Sequence, residues 1–167
     1  MNSKSITIRQ AVSEDIDALL DLDRLFCEER QTMLDSVYRN MEAPLPKESL
    51  MDRVCGPDFK AFVAEHGNII VGYLIARIKE HNLPGRGVEK EGHVCDLFVI
   101  KEFRNQGIAS ILYNQAGQWF DEAGCAFEGL TVYSSNPALN LYTQWGFNSF
   151  SINMRKVRKK TWLPEDV

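Results

Sequence analysis

Histidine and cysteine are scarce in this chain, three and four residues out of 167, and no two cysteines form a C-x-x-C pair. Cys27, Cys55, Cys95 and Cys125 lie far apart, and His66, His81 and His93 add no metal-ligand spacing to them. No metal site is expected, and the cysteines read as reduced thiols. Long apolar runs are missing as well. No window reaches the length of a membrane-spanning helix, and residues 1–10 lack the apolar core of a signal peptide. No membrane association and a cytoplasmic location are therefore expected. A basic excess is absent too: 19 Lys and Arg face 23 Asp and Glu, a net charge of −4. That argues against nucleic acid as a partner. Finally, no G-x-G-x-x-G occurs and β-α-β units do not recur, which excludes a dinucleotide-binding Rossmann unit.

What is present is an ordinary globular composition, 44% hydrophobic and 25% charged, at a length suited to one domain over 1–167. Residues 160–167 read as a tail that follows the basic run Arg155–Lys160. Ile6 and Ile8 alternate with polar residues in a half-exposed first strand. Ser13 is a candidate N-cap for a helix whose face is Ile16, Leu19, Leu20, Leu22 and Phe26. A second helix is expected over about Arg30 to Met41, ended by Ala43-Pro44-Leu45-Pro46, with one or two further turns over 47–54. Phe59–Glu65 and Ile69–Lys79 form a hairpin about Gly67-Asn68. Residues 80–92 are polar, with Pro and Gly, and read as a loop. Phe127–Tyr133 is a strand, Ala138 to Trp145 a short helix stopped by Gly146, and Phe147–Val157 a last strand. The order β-α-α-β-β-β-α-β-α-β fits an α+β fold, a mixed central sheet with helices on both faces.

The densest signal lies at 93–112. Val94–Ile100 has the composition of a buried strand. After the polar turn Lys101–Gln106, Gly107 opens a pattern of helical period that runs from Ile108 to Ala123. A helix start leaves backbone N–H groups unsatisfied, with the positive end of the helix dipole behind them, and so suits a phosphate. Gly107 and Ala109 let a ligand approach the backbone. Arg104 adds a fixed positive charge.

The spacing Arg104-x-x-Gly107-x-Ala109 after a strand resembles the acetyl-CoA motif of the GNAT superfamily of N-acetyltransferases, Arg/Gln-x-x-Gly-x-Gly/Ala. A second block, Asn136 to Phe147, is similar to that family's Asn-x-x-Ala-x-x-Leu-Tyr-x-x-x-Gly-Phe. Ala138, Leu141, Tyr142, Gly146 and Phe147 fall in register; the Asn position is held by Ser135, with Asn136 one residue later. The resemblance covers roughly residues 6–156 and implies the same element order. It also implies acetyl-CoA as cosubstrate. Arg104, Asn105, Gln106, Gly107, Ile108, Ala109 and Ser110 would hold the pyrophosphate. The main chain of Leu97, Phe98 and Val99, together with Asn136, would hold the pantetheine arm.

Acetyl transfer from a thioester to an amine passes through an oxyanion and needs a proton donor for the leaving sulfur. The resemblance assigns that donor to Tyr142. The family's strand Glu is absent: its two places are Cys95 and His93. His93 is a candidate base at neutral pH. Asp96, costly in an apolar strand unless paired or functional, is a candidate to line the amine site or to bond a neighbouring loop. Glu28, Glu29 and Asp35 are candidates to attract a cationic substrate. The expected activity is acetyl transfer from acetyl-CoA to a primary amine, on a small molecule or a protein, by direct transfer in a ternary complex. The alternative is a non-catalytic acyl-CoA-binding regulatory module. A homodimer is compatible with the resemblance.

Overall fold

A computed structural model describes residues 5–34, 39, 42–85 and 87–156. Its sheet holds five strands in sequence order: β1 (Ile6–Gln10), β2 (Phe59–His66), β3 (Ile69–Leu83), β4 (Gly87–Val99) and β5 (Phe127–Leu130). The first four are antiparallel neighbours, and β5 joins β4 in parallel. The helices are α1 (Ile16–Thr32), α2 (Lys47–Cys55), α3 (Ile108–Glu122) and α4 (Leu139–Gln144). Ala61, Val63, Tyr73 and Ile75 meet α1 and α2 on one face; Phe62, Ala64, Leu74 and Ala76 meet α3 on the other. Covering both faces explains why these strands read as near-continuous apolar runs. In α3 the buried residues Ile108, Leu112, Ala116 and Phe120 recur every four positions, the spacing of one helix face. Gly92 permits this packing: a Cβ there would stand 2.3 Å from the Phe120 ring.

Four expectations are corrected. Residues 80–92 are not a loop, because β3 and β4 pair out to Leu83↔Gly87. That end of the ribbon carries polar residues and lacks the apolar alternation by which strands are recognised. Ser13 does not cap α1. No side chain caps α1; Asp15 instead closes the turn before it, accepting the Val12 N–H at 2.8 Å while it pairs with Arg9 at 2.7 Å. The second described helix is Lys47–Cys55, and α1 itself runs through Arg30. Residues 35–38, 40 and 41 of the expected second helix, Asp35 included, lie outside the described residues, as does the tail. Over 147–156 no strand forms; Phe150, Ile152 and Met154 alternate as expected but stand exposed. Alternation marks a strand's two faces but does not supply the neighbouring edge it needs.

Candidate active site

β4 and β5 begin side by side and then part. Their pairing runs from Glu91↔Phe127 to Val94↔Leu130 and stops, while β4 continues to Val99. A second irregularity falls at the same place. Ile75 pairs with Asp96 and Ala76 with Val94, which leaves Cys95 as a bulge. Bulges sharpen the local twist and re-aim side chains. The two strands therefore splay around a cleft of about 290 Å³, lined by Phe26 and Arg30 of α1, Cys95 and Leu97 of β4, and Asn136 and Tyr142 beyond β5.

One wall of the cleft is bare backbone. The Ile100 N–H points to β3, bonding the Val71 carbonyl at 2.9 Å. Because polar groups alternate in direction along a strand, the N–H and C=O groups of Leu97 and the N–H of Val99 face away from β3, while the Val99 carbonyl on that same side is taken by Arg104. Phe98 turns its main chain to Tyr73 of β3, and its ring joins the α1 core.

Past Val99 the chain makes a short turn into α3. The N–H groups of Asn105, Gln106, Gly107, Ile108, Ala109 and Ser110 have no acceptor among the described residues. Asn105 and Gly107 hold positive φ, 61° and 78°, and nothing lies within 4 Å of where a Gly107 Cβ would stand. This is a concave run of donors at the positive end of a 15-residue helix, open in front. Ile108 is buried and roots the turn in the core. The Arg104 guanidinium is committed elsewhere: its Nε donates to the Val99 carbonyl at 2.7 Å, and its Nη2 meets both Glu29 oxygens at 2.8 Å. It braces the strand end against α1.

Across the cleft, Tyr142 packs edge-on to Trp145 and Phe147, at 5.7 and 6.3 Å between centroids. Trp145 in turn stacks on Tyr113 of α3 at 4.4 Å. These aromatics seat the short helix α4, whose six residues could not hold themselves helical in water. Burial raises the Tyr142 pKa above that of a free phenol. The hydroxyl thus stays protonated at neutral pH, and it has no hydrogen-bond partner among the described residues. Asn136 accepts the Ala138 N–H on Oδ1 at 2.8 Å, leaving its Nδ2 donors unbonded beside the cleft. Ser135, which holds the family's Asn position, bonds the Met33 carbonyl at 2.7 Å and ties this loop to α1.

The other two candidates share the α1 face of β4. Asp96 is buried between arginines, 2.6 Å from Arg53 and 3.5 Å from Arg30. Burial raises its pKa and the arginines oppose the shift. Arg30 lies over the Phe26 ring at 4.3 Å and approaches Glu42 at 3.0 Å. Since Arg30 Nε makes no aligned hydrogen bond, that approach is an ionic contact. Glu42 also takes the Tyr133 hydroxyl. His93 sits one pair before the splay, opposite Gly129. Its Nδ1 is 2.7 Å from Glu91 Oε1, and Glu91 Oε2 is 2.6 Å from His81 Nε2.

The sequence reading passes over Glu91, Arg30 and Gly129. A signal for Glu91 exists: it stands two residues before His93, on the same face of a strand. It goes unused once residues 80–92 are taken for a loop. The Arg30–Asp96 contact joins segments 66 residues apart in the chain and leaves no local trace.

A sheet that splays beside a donor-rich helix start, with a tyrosine across the gap, defines an acyl-CoA-dependent transferase. The chain matches the profile of the Acetyltransferase (GNAT) family over residues 20–147 and belongs to that family of acetyl-CoA-dependent N-acetyltransferases. It is 27% identical over 159 residues to an N-alpha-acetyltransferase of Sulfurisphaera tokodaii, covering 89% of this chain and 84% of that one. It is 36% identical over 87 residues to N-alpha-acetyltransferase MAK3 of Arabidopsis thaliana, covering 52% and 43%. Its fold is shared with the BH1408 protein of Bacillus halodurans, in a tetramutant form, at TM-score 0.81 and 18% identity, covering 91% and 99%. Among the described residues no helix is long and apolar enough to cross a membrane.

Proposed function

We propose that the cleft transfers acetyl from acetyl-CoA to a primary amine in a ternary complex, and that polypeptide α-amines are the acceptor class. The observation that carries this reading is the run of unbonded amides from Asn105 to Ser110, placed where the strands part. The diphosphate of acetyl-CoA lies against those amides, with Gly107 and Ala109 keeping the approach clear. Arg104 holds the turn to Val99 and Glu29. The pantetheine arm runs along the exposed edge of Leu97 and Val99 like an added strand, with Phe98 fixing that edge to β3 and Asn136 Nδ2 donating from the far wall.

The amine enters from the α1 side. Its lone pair attacks the thioester carbonyl carbon, and the oxygen takes up negative charge beside the β4 amides. Collapse expels the sulfur, which takes the Tyr142 phenol proton. The proton lost from nitrogen passes to His93. Asp96 acts one step back, holding Arg30 at the wall. Cys95 lies in the cleft, but burial raises its thiol pKa, so it is a poor nucleophile. That supports direct transfer over an acyl-cysteine. The α-amine assignment is supported by the N-alpha-acetyltransferase relatives.

Thiol release from acetyl-CoA across a panel of N-terminal peptides, lysine peptides and small amines tests the reading, with mass spectrometry of each product. The expected result is amine-dependent release with the acetyl group on a peptide α-nitrogen. Release confined to small amines would overturn the acceptor class, and tight CoA binding without release would leave a binding module.

A further inference from the structure

Glu91 is buried at 8% exposure, and its carboxylate meets two imidazoles and, at 3.7 Å from Oε1, the Lys79 ammonium. Oε1 is 2.7 Å from His93 Nδ1, and Oε2 is 2.6 Å from His81 Nε2. The site is shaped for this group. A Cβ on Gly129 would stand 2.3 Å from Glu91 Oε1, so only a glycine on β5 lets the carboxylate lie there. His93 is largely buried and its Nε2 has no partner among the described residues. Val94 and Cys95, which follow it directly, line the cleft.

A carboxylate on one ring nitrogen fixes the neutral tautomer of an imidazole, leaving the other nitrogen basic. We infer that Glu91 is a positioning residue: it holds the proton on His93 Nδ1, so that Nε2 is the nitrogen that accepts the proton of the attacking amine. This rests on the acetyltransferase reading of the cleft. The protons balance. One leaves the amine nitrogen for His93 Nε2 as the carbon–nitrogen bond forms and the carbon–sulfur bond breaks. One leaves the Tyr142 hydroxyl for the sulfur. His93 then returns its proton to the Tyr142 oxygen through solvent, giving the amide and free CoA thiol.

The groups around the ring set its pH response. Burial lowers the His93 pKa, and Lys79 and Arg77 of β3 lower it further, while Glu91 on its own strand raises it. His81 of β3 shares the Glu91 carboxylate, and β5 presents Gly129. The neutral ring is the working form, so activity falls as pH drops through the His93 pKa.

Two variants test the assignment. Glu91→Gln keeps a carbonyl acceptor for Nδ1–H but loses the anion that favours imidazolium; the acid limb of kcat/KM should move about one pH unit lower. Glu91→Ala also loses the acceptor; kcat should fall roughly 10-fold or more with the KM for acetyl-CoA little changed. Ring-¹⁵N spectra of the parent, assigned through a His93→Gln variant, should show the neutral His93 protonated on Nδ1. A proton on Nε2, or coincident acid limbs in parent and Glu91→Gln, overturns the inference. If Glu91→Ala fails to fold, the Glu91→Gln limb and the ring spectrum decide. Absence of amine-dependent thiol release from the parent would instead bring down the acetyltransferase reading, and this inference with it.

Discussion

Tyr142 gets its chemistry from its surroundings. A phenol in water is a weak acid that spends its hydrogen bond on solvent; here burial raises its pKa and its hydroxyl is unengaged among the described residues. Tyr142→Phe removes the oxygen and little else, since the ring contacts to Trp145 and Phe147 remain. Turnover should drop about 10²- to 10⁴-fold, with calorimetric CoA affinity within a few-fold of the parent. Equal turnover would remove Tyr142 from the mechanism. The tyrosine is legible in the sequence because it sits inside a block with fixed spacing. Asp96 is legible only as an anomaly, a carboxylate in an apolar strand. Its partners Arg30 and Arg53 come from helices 66 and 43 residues away in the chain, a separation that no local pattern encodes.

At the scale of elements, the turn between β4 and α3 is the most constrained piece. Gly107 at φ 78° is in a region that a β-branched residue adopts only under strain. Gly107→Val should weaken CoA binding at least ~10-fold, through that strain and through a side chain placed before the open amides. Unchanged calorimetric affinity would refute the cradle. The packing of α3 on β4 depends on Gly92. Gly92→Ala places a methyl into the Phe120 ring, and overpacking of this kind costs about 1–3 kcal/mol. Thermal unfolding should shift down by about 3–10 °C; an unshifted midpoint would mean the ring moves aside at no cost. The strand, turn and helix of this unit are readable in advance because their signals are local: β-branched residues, then polar ones and a glycine, then period 3.6. The β3–β4 ribbon beyond Lys79 is not, because polar residues that pair only through their main chain resemble a loop.

For the molecule as a whole, the sheet does two jobs with one defect. It is continuous from β1 to β4 and buries a core on each face. It then opens between β4 and β5, which leaves unpaired main-chain groups that a closed sheet would pair with itself. Apart from the second helix, expected earlier in the chain, and the last strand, which does not form, the order of the described elements follows from the sequence patterns, and the splay does not. It arises where the Cys95 bulge, the end of β5 pairing and the α1 network around Arg30 coincide, features of tertiary contact. The most direct measurement of this account is a crystal structure of the protein with CoA. It should show the diphosphate on the amides of Asn105 to Ser110, the pantetheine along Leu97 and Val99, and the sulfur beside the Tyr142 hydroxyl. A diphosphate bound elsewhere, or a sulfur on the far side of the sheet from Tyr142, would contradict it.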